Sequence, residues 1–105
     1  MSTKQDHKRW RKEFREGCFE RDGHKCKFCD KTEDLDAHHI TDRHDMPNGG
    51  YGKKNGITVC DDHHLLCEEY HMNDGICNPE YHPDELYRKI GTSYDEAYKE
   101  CENLK

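Results

Sequence analysis

Leu35-Asp36-Ala37-His38-His39-Ile40 alternates apolar and polar side chains well enough to predict a short β-strand. Adjacent residues on a strand point to opposite faces of a sheet, so His38 and His39 are not expected to be equivalent ligands of one ion. A division of roles fits better, in which one histidine binds a metal and the other transfers a proton. Neutral imidazole suits both roles near pH 7. The alternative is a pair of surface or half-buried histidines without such roles.

Cysteine and histidine pairs flank this stretch at the spacing of a metal knuckle. Cys26 and Cys29 are separated by two residues, and Cys60 and His63 repeat that spacing. Three thiolates and one imidazole form a tetrahedral set that is typical of a structural zinc site. His64, next to His63, is an alternative fourth ligand. The other interpretations of Cys-x-x-Cys are two unlinked cysteines and a redox pair, which no surrounding βαβ pattern supports.

The composition also favours a domain that a metal stabilises. The 105 residues suffice for one domain, but only 30% are hydrophobic and 38% are charged, so the core is expected to be thin. Seven cysteines, an odd number, exclude a complete set of intramolecular disulfides. There is no apolar signal segment and no apolar run of membrane-spanning length. We therefore expect a reducing, cytoplasmic location; a secreted disulfide-bonded miniprotein is the less favoured alternative.

Periodicity and turn residues predict the order of the secondary structure. Helical spacing brings Trp10, Phe14 and Cys18 to one face, where Trp10 is expected to anchor the core rather than to stack on bases. Asp61-Asp62 is expected to cap the helix that carries His63 and His64. The predicted elements are a helix over 6–21, a strand over 35–40, a loop over 41–56, a strand over 57–60, a helix through 71, a loop over 73–84, a short helix over 84–90 and a last helix from the Ser93-x-x-Glu96 capping box to 104.

Charge divides this single domain, 1–105, into three parts of different character. The formal net charge is −6, yet residues 1–31 carry a net of +4 and residues 61–105 a net of −8. The basic N-terminal helix (1–23) is therefore the candidate face for DNA phosphates, against the alternative of a solvated charged helix. Its candidate phosphate contacts are Arg9, Arg11, Lys12 and Arg15. The zinc knuckle and central core (24–71) and an acidic helical extension (72–105) follow.

The order of these motifs resembles the zinc-containing HNH endonucleases, and small phage-encoded members look most similar. That order is Cys-x-x-Cys, Asp-Ala-His-His-Ile, a Gly-rich loop and Asn-Gly-Ile-Thr-Val-Cys-x-x-His-His, within residues 19–71. The resemblance implies a ββα-metal (His-Me finger) core, in which two antiparallel strands, a loop and a helix hold one catalytic divalent ion. The expected fold is thus α+β, with this core, a structural zinc knuckle, an N-terminal helix and a helical C-terminal extension.

The resemblance also assigns roles to single residues. His38 corresponds to the first ligand of the catalytic ion and His64 to the second. His39 corresponds to the general base, and Asn55 to the asparagine that steadies the loop and the base. The implied reaction is hydrolysis of DNA phosphodiester bonds that leaves 5′-phosphate and 3′-hydroxyl ends. The implied cofactors are the structural zinc and a catalytic Mg²⁺, Mn²⁺, Ni²⁺ or Zn²⁺ ion.

Some residues depart from the pattern of this family. The usual fourth zinc cysteine is His63 here, and Glu68 stands where some members carry a further histidine. Asp36 is another candidate ligand if the strand register differs by one face. Four further residues outside the motif have a spacing that could hold a second zinc ion. The alternative is that they are buried thiols and surface histidines. These four are Cys67, His71, Cys77 and His82.

Two functions therefore compete. The first is a metal-dependent endonuclease, and the second is a non-catalytic zinc module that binds DNA or a protein partner. The joint presence of His38, His39, Asn55 and His64 favours the first, because a purely structural zinc knuckle does not need all four. The resemblance further suggests a host-cell cytoplasmic, phage-encoded protein with a terminase or another DNA-packaging protein as its partner.

Overall fold

Two short antiparallel strands form the sheet of this protein, and α1 and α2 both pack against it. The structure is a computed structural model and describes residues 3–105. It confirms an α+β fold, with one two-stranded sheet and four α-helices in that range. The elements are α1 (Lys4–Arg21), β1 (Leu35–His39), β2 (Gly56–Cys60), α2 (Asp61–Met72), α3 (Pro83–Lys89) and α4 (Tyr94–Glu102). None of the described helices has the length and apolar character that crossing a bilayer requires.

α1 buries the stripe that its periodicity predicts. Trp10, Phe14 and Cys18 are all buried, which confirms Trp10 as a core residue. The helix begins two residues earlier than predicted, because Thr3 and Asp6 form a reciprocal capping box. The indole N–H of Trp10 donates to the carbonyl of Lys105 at 2.9 Å, so the first helix also holds the C-terminus.

β1 and β2 pair so that Leu35 lies opposite Cys60 and His39 lies opposite Gly56. β2 begins one residue earlier than predicted and is buried throughout. Gly56 is needed for close packing, because a Cβ there would stand 2.5 Å from both the Phe14 ring and the Cys18 Sγ. This register places Cys60, a predicted zinc ligand, at one end of the sheet and His39 at the other.

α2 starts directly after β2, and the prediction that Asp61-Asp62 caps it is wrong. Cys60 occupies the N-cap position and its side chain makes no capping hydrogen bond. Asp61 and Asp62 lie instead in the first turn, where carboxylates interact favourably with the positive end of the helix dipole. The helix therefore begins immediately at the strand end, and His63 and His64 lie in its first turn.

The acidic extension covers the core with α3 and α4. Leu86 and Tyr87 of α3 are buried, as are Ala97 and Cys101 of α4. α3 begins one residue before the predicted start because Pro83 occupies its first turn after the N-cap His82. Only half of the predicted capping box forms in α4. Ser93 accepts from the Glu96 N–H at 3.3 Å, whereas the Glu96 carboxylate accepts from Thr92 Oγ1 at 2.8 Å.

Candidate metal centres and an adjoining histidine cleft

The first candidate metal centre lies between the turn after α1 and the junction of β2 with α2. Cys26 and Cys29 come from that turn, which two backbone hydrogen bonds of 2.9 Å close: Cys26 N–H to the Lys31 carbonyl, and Asp30 N–H to the Cys26 carbonyl. Asp30 has a φ of 61°, a left-handed conformation that aspartate tolerates. The turn thereby brings two thiols to the sheet end where Cys60 and His63 lie.

Four ligand atoms at this centre lie at the distances of a tetrahedral site. His63 Nδ1 is 3.2 Å from Cys60 Sγ and 3.8 Å from Cys26 Sγ, and Cys29 Sγ is 3.8 Å from Cys60 Sγ. With Zn–S bonds of about 2.3 Å, two thiolates in a tetrahedron stand about 3.8 Å apart. The cluster of three cysteines and one histidine therefore has the composition and size to hold a zinc ion.

The surroundings of this Cys3His cluster lower the pKa of two of its thiols, those of Cys26 and Cys60, and fix the orientation of its histidine. Burial by itself raises the pKa of Cys26, but hydrogen bonds from backbone N–H groups, led by that of Phe28, bring it below its ordinary value. The Phe28 ring stacks on His63 with centroids 5.2 Å apart and 6° between the planes. His63 thus belongs to this cluster, while His64 turns toward a second group of ligand atoms.

The second group joins β1 to α2. His38 Nδ1 is 3.0 Å and His64 Nε2 is 3.2 Å from the same oxygen, Glu68 Oε1. The three donors lie within 4.8 Å of one another, close enough to hold a metal ion. His64 and Glu68 are four residues apart and so share one face of α2. We refer to His38, His64 and Glu68 as the three-donor group.

Electrostatics in the three-donor group favour a carboxylate between two imidazoles. Hydrogen bonds to His38 and His64 hold the pKa of Glu68 well below its ordinary value, so Glu68 is ionised at neutral pH. Burial lowers the pKa of His38, which is almost wholly inaccessible to solvent, whereas the bond to Glu68 raises the pKa of His64. An ionised oxygen and two imidazole nitrogens are the donors that many divalent ions accept.

Asp36 lies beside this group but not within it. One of its oxygens is 3.6 Å from His64 Nδ1, the ring nitrogen opposite the one that faces Glu68. The other oxygen pairs with Arg15 at 2.7 Å. The interpretation of Asp36 as a further ligand of the same ion does not fit this geometry, because the carboxylate lies behind His64. Such a position suits a residue that orients a ligand.

His39 has a different environment from His38, as expected for neighbours on a strand. Its ring stacks on Phe14 at 4.5 Å and meets Tyr51 edge-on at 5.3 Å. Burial lowers the pKa of His39 to about 4, and the charges of His38 and Arg43 act in the same direction. The imidazole is therefore neutral at pH 7. Its Nε2 is buried with no hydrogen-bond partner, which leaves Nδ1 for contact with solvent.

A cleft of about 310 Å³ brings His39 together with His64 and Glu68 of the three-donor group. His64 and Glu68 line it from α2, and His39 lines it from the end of β1. The Nε2 of His71 donates to the carbonyl of His39 at 3.2 Å and ties the same strand end to α2. The lining side chains are Asp36, Ala37, His39, Asp42, Arg43, His64, Glu68 and His71.

Asn55 closes the loop between the strands and is fully buried. Its Oδ1 accepts from the Thr41 N–H at 3.0 Å and from the Tyr87 hydroxyl at 2.7 Å. Its Nδ2 donates to the carbonyls of Thr41 at 3.0 Å and Gly50 at 3.2 Å. All four hydrogen-bonding positions of the amide are used, so Asn55 fixes the loop at both ends.

Two of the four residues predicted to contact DNA phosphates are engaged within the chain. Arg9 pairs with Asp6 at 3.3 Å and donates to the carbonyl of Lys105. Arg15 pairs with Asp36 and donates to the carbonyl of Leu35 at 3.1 Å. A phosphate contact by either residue would compete with these bonds.

The other predicted contacts, Arg11 and Lys12, are exposed on α1. The guanidinium carbon of Arg11 lies 6.0 Å from the centre of the Tyr51 ring, the ring that also contacts His39. Sequence reasoning missed Arg43, which follows β1 and lines the cleft itself. Its position four residues after β1, in a segment that the sequence predicts only as a loop, was the one signal for it.

A second zinc site finds no support in residues 3–105. Cys67, His71, Cys77 and His82 do not come together as ligands. Cys67 is buried, and burial raises the pKa of its thiol to about 12. His71 bonds to β1, and His82 accepts the Asp84 N–H at 3.1 Å to cap α3. The alternative of buried thiols and surface histidines holds for Cys67 alone, because Cys77 and the two histidines are half-buried.

Comparisons with protein-family models, with curated proteins and with solved structures returned no match to this chain. Function therefore has to be argued from the cleft and its ligand atoms.

Proposed function

We propose that this protein is a metal-dependent endonuclease of the HNH type that hydrolyses phosphodiester bonds in DNA. The observation that carries the proposal is a single cleft that combines His64 and Glu68 of the three-donor group with a neutral histidine, His39, and a cation, Arg43. The β1–loop–β2–α2 order that builds this cleft is the one expected of a ββα-metal core. Metal ligands, a proton acceptor and a phosphate contact are what hydrolysis of an anionic diester needs.

The three-donor group fits a catalytic divalent ion in the chemistry of its donors. His38 Nδ1, His64 Nε2 and Glu68 Oε1 would hold the ion, and three protein ligands leave further positions open. Such an ion offsets the negative charge that develops on the phosphate and on the leaving oxygen. Glu68 thereby takes the place that a histidine has in some HNH enzymes, and its negative charge favours hard ions such as Mg²⁺ and Mn²⁺.

His39 is proposed as the general base. Burial keeps it neutral, and its contacts with Phe14 and Tyr51 restrict the orientation of its ring. We assign proton removal from the attacking water to Nδ1, because Nε2 is buried. The new bond forms between that water and phosphorus, and the bond to the 3′ oxygen breaks.

Arg43 is proposed to contact the phosphate that enters the cleft. It is exposed and lines the same cleft as His39 and His64. Arg11 and Lys12 on α1 remain candidates for flanking phosphates. With an overall charge of −6, the protein has little general attraction for DNA, so these local cations and the divalent ion carry the electrostatic contact.

The test is cleavage of supercoiled plasmid DNA in Mg²⁺ or Mn²⁺, with zinc-loaded protein and an EDTA control. His39→Asn is compared with wild type and with His24→Asn, a matched change at an exposed turn residue whose φ of 56° asparagine tolerates. We expect wild type and His24→Asn to cut at similar rates. His39→Asn should lose at least about a hundredfold in rate, the contribution typical of a general base.

The alternative is a non-catalytic zinc module that binds DNA or a protein partner. The internal bonds of Arg9 and Arg15 and the acidic extension are compatible with a protein partner, and a DNA-packaging protein is one candidate. The assay uses folded, zinc-loaded wild type at concentrations that saturate DNA in a binding assay. The endonuclease proposal is rejected if this protein shows no metal-dependent cutting. Equal cutting by His39→Asn and wild type would reject the role of His39.

A further inference from the structure

Tyr87 is a buried tyrosine of the extension whose hydroxyl reaches the loop between the strands. The hydroxyl donates to Asn55 Oδ1 at 2.7 Å and lies 2.6 Å from Thr41 Oγ1. Only 2% of the residue is exposed. Burial raises the pKa of Tyr87, so the hydroxyl keeps the proton that it donates. One phenol oxygen therefore contacts side chains at both ends of the loop over residues 41–55.

These two ends of the loop lie directly against the proposed base. Thr41 is two residues after His39, and the Ile40 N–H between them donates to the backbone carbonyl of Asn55 at 2.8 Å. Gly50, which accepts from Asn55 Nδ2, packs so closely that a Cβ on it would stand 3.4 Å from His39 Cδ2. A shift of the Asn55 side chain is thus transmitted to the segment that carries His39.

We propose that Tyr87 is a positioning residue of the active site, which acts through Asn55 and Thr41 to hold His39 in line with the substrate. This inference rests on the proposed endonuclease function. It also gives the acidic extension a part in the reaction, although the extension supplies no side chain to the three-donor group. A displacement of a reacting group by about 1 Å lowers the reaction rate steeply. A residue that positions the base can therefore change the rate without contacting the substrate.

The experiment compares Tyr87→Phe with wild type and with Tyr94→Phe in the full, zinc-loaded chain. Phenylalanine keeps the buried ring of residue 87 and removes only the hydroxyl. Tyr94 is a matched control, because its ring lies 6.4 Å from that of Tyr87 but it is 43% exposed and belongs to α4. We expect kcat of Tyr87→Phe to fall about tenfold with KM within about twofold, because orientation of the base matters in the transition state and not in substrate binding.

A merely structural role would change other quantities. If Tyr87 only stabilises the fold, Tyr87→Phe lowers the melting temperature, and the activity falls only in proportion to the folded fraction. The value of kcat per folded molecule then stays at that of wild type. That result, or an equal kcat loss in Tyr94→Phe, would overturn the inference. Zinc content and melting temperature are measured in parallel to establish the folded fraction.

Amide hydrogen exchange separates failure of this inference from failure of the proposed function. The Thr41 N–H donates to Asn55 Oδ1, the atom that Tyr87 also holds. Faster exchange of Thr41 in Tyr87→Phe, with unchanged exchange in β2, is expected whether or not the wild type cuts DNA. If wild type fails to cut DNA, faster Thr41 exchange in Tyr87→Phe still supports the conclusion that Tyr87 fixes the loop. Unchanged Thr41 exchange overturns that conclusion.

Discussion

Replacement of Asn55 by alanine is the most informative single perturbation of this fold. The side chain is fully buried and makes four hydrogen bonds, two through Oδ1 and two through Nδ2. Alanine removes all four at once and leaves the N–H and carbonyl of Thr41, the carbonyl of Gly50 and the hydroxyl of Tyr87 without this partner. Thr41 and Gly50 lie on the loop that flanks the cleft, and the Tyr87 hydroxyl reaches that loop from α3.

The expected loss follows from the number of bonds. A hydrogen bond contributes about 1 kcal/mol net, and a buried group left unpaired costs about 1–3 kcal/mol. Four bonds therefore give a loss of about 4 kcal/mol in the free energy of unfolding. Water that enters the space of the lost amide would offset part of the penalty for unpaired groups, so we use the lower value for each bond. Such a loss is a large fraction of the stability of a small domain.

The assay is equilibrium urea unfolding, followed by Trp10 fluorescence, at fixed free zinc and with reductant to protect the thiols. Fixed zinc is essential, because an ion that binds only the folded state adds to its apparent stability. Asn103→Ala is the matched control. The Asn103 side chain is exposed and makes one local bond, to the carbonyl of Lys99 at 2.8 Å, so the loss of stability in Asn103→Ala should stay below about 0.5 kcal/mol. A loss below about 1.5 kcal/mol for Asn55→Ala, at an unchanged urea slope, would refute the reasoning.

Four further predictions concern the two candidate metal centres and the cleft. At saturating divalent ion, kcat should stay nearly flat from pH 8 down to about 5.5, because His39, with a pKa of about 4, takes up a proton only at lower pH. A fall in kcat centred near pH 6.5 would contradict this. Cys26→Ser should release zinc and lower the melting temperature by on the order of 10 °C, whereas Cys77→Ser, outside the cluster, should keep its zinc, as measured by metal analysis and calorimetry. Glu68→Gln should raise the half-saturating Mn²⁺ concentration at least about tenfold; an unchanged value would remove Glu68 from the ligands. Arg43→Ala should raise KM for DNA more than it lowers kcat, and an unchanged KM would exclude the phosphate contact.

Much of the first metal centre could be predicted from sequence because its information is local. Cys26 and Cys29 are three positions apart, and so are Cys60 and His63, which fixes two ligand pairs before any tertiary contact is known. The choice between His63 and His64 could not be made in the same way. It depends on the phase of α2, which begins directly after Cys60 and turns His63 to the thiols and His64 to the cleft.

The rest of the cleft depends on contacts between residues far apart in the chain. The composition of α1 predicts its basic face. It does not predict that Asp36, 21 residues further along the chain, pairs with Arg15. Nothing near Tyr87 in the sequence indicates that its hydroxyl meets Asn55, 32 residues earlier. Hydrophobic periodicity predicts which side chains are buried and contains no information about the partner of a buried polar atom.

The acidic extension shows why this distinction matters for function. The structure places this segment against two regions, the Cys3His cluster and the loop beside the cleft. Tyr87 bonds to Asn55 beside the cleft, while the ring of Tyr81 lies 5.1 Å and the ammonium of Lys89 4.7 Å from the ring of Phe28, which stacks on His63. One segment thus packs against the Cys3His cluster and against the loop that carries Asn55. Removal of a zinc ion bound at the Cys3His cluster should therefore loosen the Tyr87 contact as well, and the cleft would lose its geometry without any change in its own ligands.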